Sequence, residues 1–547
     1  MSMGRDEEFS TSGPGTVPDS GPDSPQDSGP DYNRYGSGNE TGEGTHSILL
    51  LSGYHSDSQA SWARSLMEGL PEFRWYALTL PPRYFSFRLK GSALSWRNKL
   101  REIFPRNSMH LEDGVSPGDG GPPDMIIATS SVDVSAIRAV LPRLRNIPVL
   151  QYVHENQFAY PLQNKRPMRN KGPLRSSGPW QSTELSPASR PSDTSRQSDT
   201  SRQSGKGRQR HQAESRALER DAQASQLYSL LSADRIAFNS AWNRDSCLAG
   251  ISSFLDALPE KTDPEICRDI AEKSAVIPVA VEVSLFSSPQ LSISRQKTRS
   301  ARAGREERQV HEHPHIHIVW PHRWEYDKNP GLLLEICRGL ERRLATLGPR
   351  QKHAKQQEQG PHGLQSDRED EKNGGWSISL LGRKFRSVPG ELEQLRLEFA
   401  HRIRVGEPLP REEYVEKLTE WGAENRRSAV PAGEYGGEGQ TSCRHLVLST
   451  ARHEFQGLSM LEAAYAGLTP VVPDALSYPE YFPRDCRYPV EKEDSTAIPK
   501  EHQPDHVIEE IVRRLLSPRP SPREGIRDLS PGTLMPGYES EIRRLLS

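Results

Sequence analysis

Short apolar runs alternate with amphipathic stretches along much of this 547-residue chain. The first run, at residues 47–53, is followed by a helical pattern and then by a second apolar run at 75–80. Strand, crossover helix and strand repeated in this order predict a parallel sheet with helices on its faces. The same alternation starts again at residue 315. We therefore predict an α/β fold with two Rossmann-like parallel-sheet domains that face a cleft.

Composition limits how much of the chain can join those domains. Only 33% of the residues are hydrophobic, and the chain contains 42 glycines and 45 prolines. Segments of this kind bury too little apolar surface to offset the entropy lost on ordering. We expect a disordered tail at 1–45, an N-terminal domain at 46–286 with a disordered insertion at 165–215, a linker at 287–312, a C-terminal domain at 313–490 with insertions at 347–375 and 424–443, and a helical tail at 491–547.

Charge and cysteine usage exclude several classes of protein. The chain has 71 basic and 73 acidic residues, so it lacks a global nucleic-acid signature. Its five cysteines are scattered and form no CxxC pair, which disfavours a zinc site or a disulfide framework. No run is long enough to span a bilayer. We expect a cytoplasmic protein, with the nucleus as a further location, and see no sign of a membrane anchor or an obligate protein partner.

Two carboxylates, Glu454 and Glu462, flank the start of a short helical pattern that follows an apolar run at 445–450. Ligands bind at this carboxyl edge in open α/β sheets. A helix that begins near Gly457 directs free N–H groups at the loop, which suits an anion. The two glutamates would then hold hydroxyl-bearing parts of a ligand whose phosphates lie between them. A pair of solvated glutamates beside an ordinary helix cap is the alternative.

A basic pair follows the apolar run at 315–320 in the same predicted domain. Arg323 and Lys328 lie five residues apart in the loop after that run. A guanidinium fork and a nearby ammonium together suit a diphosphate. The pair alone is typical of a solvated surface, but its position at the same sheet edge as the two glutamates favours phosphate binding. An aromatic segment at 476–483 would either wall this pocket or serve packing.

Polar side chains also end two strands of the first half. Four follow one another after the apolar run at 148–153, and two more end the run at 234–240. This pattern indicates a polar ligand at the first four, whereas a turn with helix capping explains the last two equally well. The residues are His154, Glu155, Asn156, Gln157, Asn239 and Ser240.

Several familiar signatures are absent from the sequence. It contains no Walker loop and no GxGxxG. It also lacks an Asp-x-Asp pair in a site-like position, which disfavours a metal-dependent sugar transferase. We therefore expect no metal and no cofactor.

Basic and aromatic residues interleave between residues 83 and 97. Such interleaving suits RNA contact, but it is equally common on an ordinary helix face. The residues are Arg83, Tyr84, Phe85, Phe87, Arg88, Lys90, Trp96 and Arg97.

Four segments, at 152–161, 238–240, 318–328 and 449–463, resemble the tRNA-queuosine α-mannosyltransferases. These belong to the retaining family-4 glycosyltransferases of the GT-B fold. The similarity runs from about 47 to 164 and from 222 to 485. One departure lies at residues 56–59, where Ser-Asp-Ser-Gln stands in place of the family's Gly-Gly-Ser-His and so lacks the glycines that allow close backbone approach.

The resemblance implies transfer of mannose from GDP-mannose to queuosine in tRNA of the tRNA-Asp type, with retention of configuration. The N-terminal domain would hold the acceptor, and the C-terminal domain the nucleotide sugar. By position, Arg323 and Lys328 would hold the diphosphate, and Glu462 the ribose. The catalytic residues would be His154, near the anomeric carbon, and Glu454, on the sugar hydroxyls. Phe455, Gly457 and Leu458 would complete the donor site, and the acceptor side would comprise Glu155, Asn156, Gln157, Asn239 and Ser240.

Two other functions remain open from the sequence. The same fold and donor chemistry would serve a lipid, glycan or small-molecule acceptor. A non-catalytic protein that binds a nucleotide sugar or RNA would also carry these motifs.

Overall fold

Two six-stranded parallel sheets, one in each half of the chain, form the frame of the molecule. This confirms the predicted α/β class with two Rossmann-like domains. The tail at 1–45, the linker at 287–312 and most of the predicted insertions lie outside the described residues. The computed structural model describes residues 46–103, 122–159, 200–286, 315–347, 375–384, 388–428, 443–493, 498–517, 526 and 528–547.

The first sheet has the strand order β2-β1-β3-β4-β5-β6. Strand β1 places Ile48 and Leu50 in one apolar layer, and Leu49 and Leu51 in the layer on the other face. Because both faces are covered, the strand is a continuous apolar run rather than an alternating one. The strands are β1 Ser47–Ser52, β2 Arg74–Thr79, β3 Met125–Thr129, β4 Val149–Val153, β5 Arg235–Phe238 and β6 Ser274–Val276.

The second sheet has the order β12-β11-β10-β7-β8-β9. This is the Rossmann order. The strand order reverses between the first and fourth strands of the domain, here β7 and β10, which are parallel neighbours. A separate antiparallel pair, β13 and β14, follows it. The strands are β7 His315–Trp320, β8 Trp376–Leu380, β9 Ile403–Val405, β10 Cys443–Leu448, β11 Thr469–Pro473, β12 Arg487–Tyr488, β13 Lys492–Glu493 and β14 Ile498–Pro499.

Helices cover both sheets. None of those described is long and apolar enough to cross a bilayer. Helix α4 begins at residue 200, so part of the insertion predicted at 165–215 is helical, because no proline interrupts 200–232 and good helix formers follow residue 208. The helices are α1 Asp57–Gly69, α2 Phe85–Ile103, α3 Val134–Val140, α4 Thr200–Ser232, α5 Ala241–Asp256, α6 Ile266–Glu272, α7 Pro330–Leu347, α8 Gly390–Glu398, α9 Arg411–Ser428, α10 Leu458–Ala466, α11 Tyr478–Tyr481, α12 Asp505–Leu516 and α13 Pro531–Leu546.

The last two helices belong to different domains, although the sequence suggested one tail at 491–547. Helix α12 packs on α7 of the second domain, whereas α13 returns to α1 and β4 of the first. The hydroxyl of Tyr538 in α13 lies 2.9 Å from both the Tyr152 hydroxyl and the Pro278 carbonyl oxygen. It also accepts the indole N–H of Trp62 at 3.1 Å. The end of the chain is therefore anchored in the core of the N-terminal domain.

The carboxyl edges of the two sheets face each other. The side chain of Gln456, after β10, donates to and accepts from the backbone of Val279 in the N-terminal half, at 2.8 and 2.9 Å. The carboxylate of Glu480 accepts the first two N–H groups of α5, those of Ala241 and Trp242, at 2.9 and 2.7 Å. A carboxylate at a helix N-terminus is favourable there. Backbone groups of the N-terminal domain thus fix the C-terminal domain in place.

We expect Tyr538→Phe to lower the free energy of unfolding by about 1–3 kcal/mol, because the buried Trp62 N–H loses its acceptor. Urea unfolding followed by fluorescence measures this change. Tyr228→Phe is the matched control, since the side chain of Tyr228 is 61% exposed. Equal midpoints for the two variants would show that the Tyr538 hydroxyl contributes nothing to the anchor.

Candidate functional site

The loops that follow β7 and β10 meet at the switch point of the second sheet. The backbone N–H of Arg452 donates to the carbonyl oxygen of Asp327 at 2.8 Å. The hydroxyl of Thr450 donates to the carbonyl oxygen of Lys328 at 2.6 Å and accepts the indole N–H of Trp320 at 3.1 Å. These bonds hold the two loops in one arrangement, at the place where open α/β sheets bind ligands.

The ammonium of Lys328 is buried between these loops. It lies 3.1 Å from a carboxylate oxygen of Glu454 and 3.2 Å from one of Asp327. It also donates to the carbonyl oxygen of His453 at 2.7 Å. Lys328 and Glu454, two predicted site residues that are 126 positions apart, are therefore in direct contact. Asp327 is a third member that the sequence analysis did not single out, although it precedes Lys328.

All three groups of this cluster are charged at neutral pH. Burial alone would raise the pKa of Glu454, but the charge of Lys328 outweighs it and holds that pKa below its ordinary value. The same balance, again set by Lys328, lowers the pKa of Asp327. Burial would lower the pKa of Lys328, and the two carboxylates raise it above its ordinary value. Arg323 adds a positive charge that acts on all three.

His322 lies in the same electrostatic environment. Burial, and to a smaller extent the charge of Lys328, lowers the pKa of His322 to about 3, so the ring is neutral. Its Nε2 atom is buried and has no hydrogen-bond partner among the described residues. A buried polar atom in this state is uncommon and is consistent with a site for a polar ligand.

Glu454 also closes the N-terminus of α10. Its second carboxylate oxygen accepts the N–H of Gly457 at 3.1 Å. Gly457 has φ +82°, and a Cβ atom there would lie 2.9 Å from the ring of Tyr478. Glycine is therefore required at the turn that leads from the loop into the helix. This turn is what brings the Glu454 carboxylate to both the ammonium and the helix terminus.

Glu462 lies in α10 but not in the Lys328 cluster. Its carboxylate makes a bidentate pair with Arg411 at 2.6 and 2.8 Å. Arg411 was not predictable from the sequence, because only the packing of α9 on α10 brings together these two residues, which are 51 positions apart.

Phe455 and Leu458 lie at the boundary between the domains. The ring of Phe455 is 5.5 Å from that of Trp242 in α5. Leu458 packs against apolar clusters of both domains. Both residues contact the N-terminal half, and their donor-binding role stays a prediction.

Arg323 is half-exposed and pairs with Glu325 at 3.1 Å. Across the cleft, burial raises the pKa of Tyr54, on which Arg323, Glu325 and Glu155 also act electrostatically. Tyr54 follows β1, so the loops after β1 and β7 form opposite walls of the cleft. The predicted Glu155 lies on the same wall as Tyr54.

Residues 56–59 contribute a second contact across the cleft. Asp57 lies at the start of α1 and pairs with Arg383 of the C-terminal half at 3.0 Å. Gln59 is buried and accepts the hydroxyl of Ser52 at 3.0 Å. The polar side chains of this segment therefore join the loop after β1 to the C-terminal half.

His154 directly follows β4 and is a neutral imidazole. Burial, with a smaller effect of His55, lowers its pKa to about 3. The ring makes edge contacts with Trp62 and Tyr152, at 4.8 and 4.7 Å between centroids. Both ring nitrogens are buried without a hydrogen-bond partner among the described residues. Within that part of the chain, no hydrogen bond or ion pair joins His154 to the Lys328 cluster.

Three of the predicted acceptor residues form a hydrogen-bonded network around the start of α5. Asn156 donates to the side chain of Asn243 at 2.8 Å, and Asn239 donates to the carbonyl oxygen of His154 at 2.9 Å. Ser240 accepts the N–H of Asn243 at 3.0 Å and is the N-cap of α5. The turn-with-capping alternative thus describes Asn239 and Ser240 well.

Gln157 lies beside this network. Its backbone N–H donates to Gln226 at 2.7 Å, while its own side-chain oxygen is buried without a hydrogen-bond partner among the described residues. The network holds the loop that carries His154 and Glu155. Direct contact of any of these side chains with an acceptor stays a prediction.

In the described part of the chain, no three His, Cys, Asp or Glu side chains cluster as metal ligands would.

The pH dependence of stability tests the state of Glu454. Its pKa is lower in the folded protein than its ordinary value of 4.5, so its contribution is complete above that pH. The contribution is lost as the pH falls through the folded pKa. We expect the difference in free energy of unfolding between wild type and Glu454→Gln to be largest at neutral pH and to narrow below pH 4.5.

Chemical denaturation at a series of pH values measures this difference. The control is Glu413→Gln, an exposed carboxylate of α9, for which a small and constant difference is expected. If the difference in free energy of unfolding between wild type and Glu454→Gln stayed constant or increased on acidification, Glu454 would not be ionised in the folded protein.

One family model matches parts of the N-terminal half of the chain. The family model described as "tRNA-queuosine alpha-mannosyltransferase N-terminal" matches residues 47–172 and 209–281. A tRNA-queuosine alpha-mannosyltransferase of Drosophila melanogaster is 26% identical over 273 residues, which are 49% of this chain and 56% of the relative. The chain thus spans about half the length of the curated relative it matches.

Solved structures with a similar chain path include the catalytic domain of starch synthase IV from Arabidopsis thaliana, bound to ADP and acarbose. It has a TM-score of 0.47 and 9% identity over 92% of this chain and 100% of that one. An α,α-trehalose-phosphate synthase (UDP-forming) from Burkholderia vietnamiensis has a TM-score of 0.46 and 10% identity over 92% and 98%.

Because both TM-scores are below 0.5, the assignment of two Rossmann-like domains rests on the strand orders themselves. The match at 47–172 and 209–281 covers the first sheet, including β4 and the loop that carries His154. The resemblance inferred from the motifs is therefore confirmed: residues 47–172 and 209–281 are similar to the N-terminal region of the tRNA-queuosine α-mannosyltransferases.

Proposed function

We propose that this protein is a glycosyltransferase that transfers mannose from GDP-mannose to queuosine in tRNA of the tRNA-Asp type, with retention of configuration. The observation that carries the donor half is the Lys328 ammonium, buried against Glu454 at the switch point of the second sheet. The name of the matching N-terminal family supports the acceptor half. Both observations are needed for this proposal. The Lys328 cluster does not indicate the acceptor, and the family match ends at residue 281, before the cluster.

The donor diphosphate would lie between Lys328, Arg323 and the N-terminus of α10. A helix terminus offers partial positive charge to an anion. Lys328 adds a full charge in a water-poor setting, where it acts more strongly than in bulk water. Charge develops on the diphosphate as GDP leaves, so fixed positive groups stabilise the transition state more than the ground state. The reaction proposed uses no metal or cofactor, and Lys328, Arg323 and the helix terminus are the positive groups that would meet the diphosphate.

Glu454 is held at both oxygens, by Lys328 and by the N–H of Gly457. A carboxylate fixed in this way can accept hydrogen bonds from sugar hydroxyls without reorganising. Glu462 would accept the hydroxyls of the nucleotide ribose. Because Arg411 already occupies that carboxylate in a bidentate pair, the ribose would share Glu462 with Arg411.

The transfer proposed proceeds on one face of the sugar. The bond between the anomeric carbon and the phosphate oxygen breaks, through an oxocarbenium-like transition state. An acceptor hydroxyl attacks from the same face and passes its proton to the departing phosphate. His154 is neutral, and neither ring nitrogen has a hydrogen-bond partner within the described ranges; it would hydrogen-bond a sugar hydroxyl beside the reacting carbon.

The decisive experiment digests tRNA from cells with and without this protein and separates the nucleosides. We expect mannosyl-queuosine only when the protein is present, and its restoration when purified protein and GDP-mannose are added to the deficient tRNA. Unchanged nucleosides together with GDP release onto a lipid, glycan or small molecule would move the activity to another acceptor. Tight GDP-mannose binding without turnover would indicate a non-catalytic protein.

Replacement of Glu454 by alanine should reduce transfer at least about 100-fold, because the donor sugar loses the group that positions it. The measurement is GDP release with deficient tRNA as acceptor. Glu413→Ala, on the exposed side of α9, is the control. Full activity in a folded Glu454→Ala protein would remove Glu454 from the site.

A further inference from the structure

An aromatic and basic surface at the start of α2 has no role in the donor site. Tyr84 and Phe87 are large aromatic residues that are 74% and 79% exposed, and Leu94 is 64% exposed. Between Phe87 and Leu94 lies Gly91, above which the space is open for at least 4 Å. Residues 84, 87, 91 and 94 have the three- and four-residue spacing of one helix face. We call this face, together with Arg83 before it and Arg97 and Arg101 beyond it, the α2 face.

The same segment concentrates positive charge. The chain as a whole has a formal net charge of −2, yet residues 81–103 contain six basic residues and one acidic residue. Arg83, Arg97 and Arg101 are exposed. A basic stripe on an otherwise neutral protein is the electrostatic footprint of a polyanion.

The α2 face begins beside the cleft. The ring of Phe85, the first residue of α2, contacts that of Tyr54 edge-on at 5.2 Å. Tyr54 in turn lies within electrostatic reach of Arg323 in the C-terminal half. A polymer bound along the α2 face would therefore lead into the space between the domains.

The backbone holds the aromatic pair outward at a conformational cost. Tyr84 has φ +57°, in the left-handed region that non-glycine residues rarely adopt. Its carbonyl oxygen accepts the N–H groups of Phe87 and Arg88 at 2.9 and 3.1 Å, so this conformation starts the helix. Uncommon conformations of this kind concentrate at binding sites.

We propose that the α2 face binds the unstacked nucleotides of an RNA loop and guides the acceptor base into the cleft. Aromatic rings stack on exposed bases, and arginine side chains pair with phosphates. Gly91 leaves room for a base to approach the helix backbone between Phe87 and Leu94. This inference rests on the proposed function, since it identifies the surface that would hold the tRNA.

An anionic membrane is the other partner that basic and aromatic residues suit, but the packing of α2 disfavours it. A helix that lies on a bilayer inserts a broad apolar face. The apolar face of α2 is already buried in the N-terminal domain. Leu89, Ala93, Trp96 and Leu100 are each at most 5% exposed.

The test measures the affinity of full-length protein for a fluorescently labelled tRNA anticodon stem-loop at several salt concentrations. Phe87→Ala should weaken binding about tenfold, because one stacked base is lost. Arg97→Glu/Arg101→Glu should lower the slope of log affinity against log salt by about 1.4, as expected for two phosphate contacts. Matched controls on the C-terminal half are Leu397→Ala, 83% exposed, and Arg342→Glu/Arg343→Glu on α7. The controls should leave RNA affinity unchanged, and all variants should bind GDP as the wild type does.

The outcomes separate this inference from the proposed function. Transfer to tRNA with an unaltered KM for tRNA in both α2 variants would overturn the α2 face and leave the function standing. RNA binding that the α2 variants weaken, in a protein that transfers no sugar to tRNA, would support the face and overturn the function. Binding to phosphatidylserine vesicles that the variants abolish, with no RNA binding by the wild type, would assign the face to a membrane and overturn the inference.

Discussion

The buried ion cluster of Lys328, Glu454 and Asp327 is the interaction on which the rest of the site depends. A buried ammonium without a charged partner would destabilise the folded protein. Removal of one partner of a buried ion pair typically lowers the free energy of unfolding by about 3–5 kcal/mol. The cluster therefore exists only while the loops after β7 and β10 are held together. Those loops come from adjacent strands because the second sheet has the Rossmann order. The fold thus sets the position of the charge, and the hydrogen bonds of Thr450 and Arg452 set its distance from the helix terminus.

The same short segment serves both the site and the closure of the two domains. Within residues 454–457, Glu454 meets Lys328, Phe455 packs on α5, Gln456 bonds to Val279, and Gly457 starts α10. The aromatic segment at 476–483 packs on Gly457 through Tyr478. Its Glu480 carboxylate accepts an N–H group at the N-terminus of α5. Movement of one domain against the other would therefore shift Glu454. This connection ties the geometry of the proposed donor site to the position of the N-terminal domain.

The sequence predicted the strands well because both faces of each parallel sheet are covered and the strands are continuous apolar runs. It also placed Lys328 and Glu454 at the same edge of one sheet, because loops at the carboxyl ends of parallel strands lie on one side, but it did not predict their direct contact. The pairing of Glu462 with Arg411 was not predictable, since it depends on how α9 packs on α10. Helix capping by Ser240 was one of two alternatives that the sequence left open, because a polar residue after a strand can contact a ligand or cap the next helix. The bond from Asn156 to Asn243 was not predictable, because it depends on how the loop after β4 packs on α5. The run at 56–59 likewise gave no hint of its contact with Arg383.

We propose that Lys328 holds the diphosphate of a nucleotide. Calorimetric titration with GDP of wild type and of Lys328→Met, each checked for a folded circular dichroism spectrum, tests this proposal. We expect Lys328→Met to bind GDP about 100-fold more weakly, because a buried charge that meets the ligand is removed. Equal affinity of the two proteins for GDP would show that Lys328 does not hold the diphosphate.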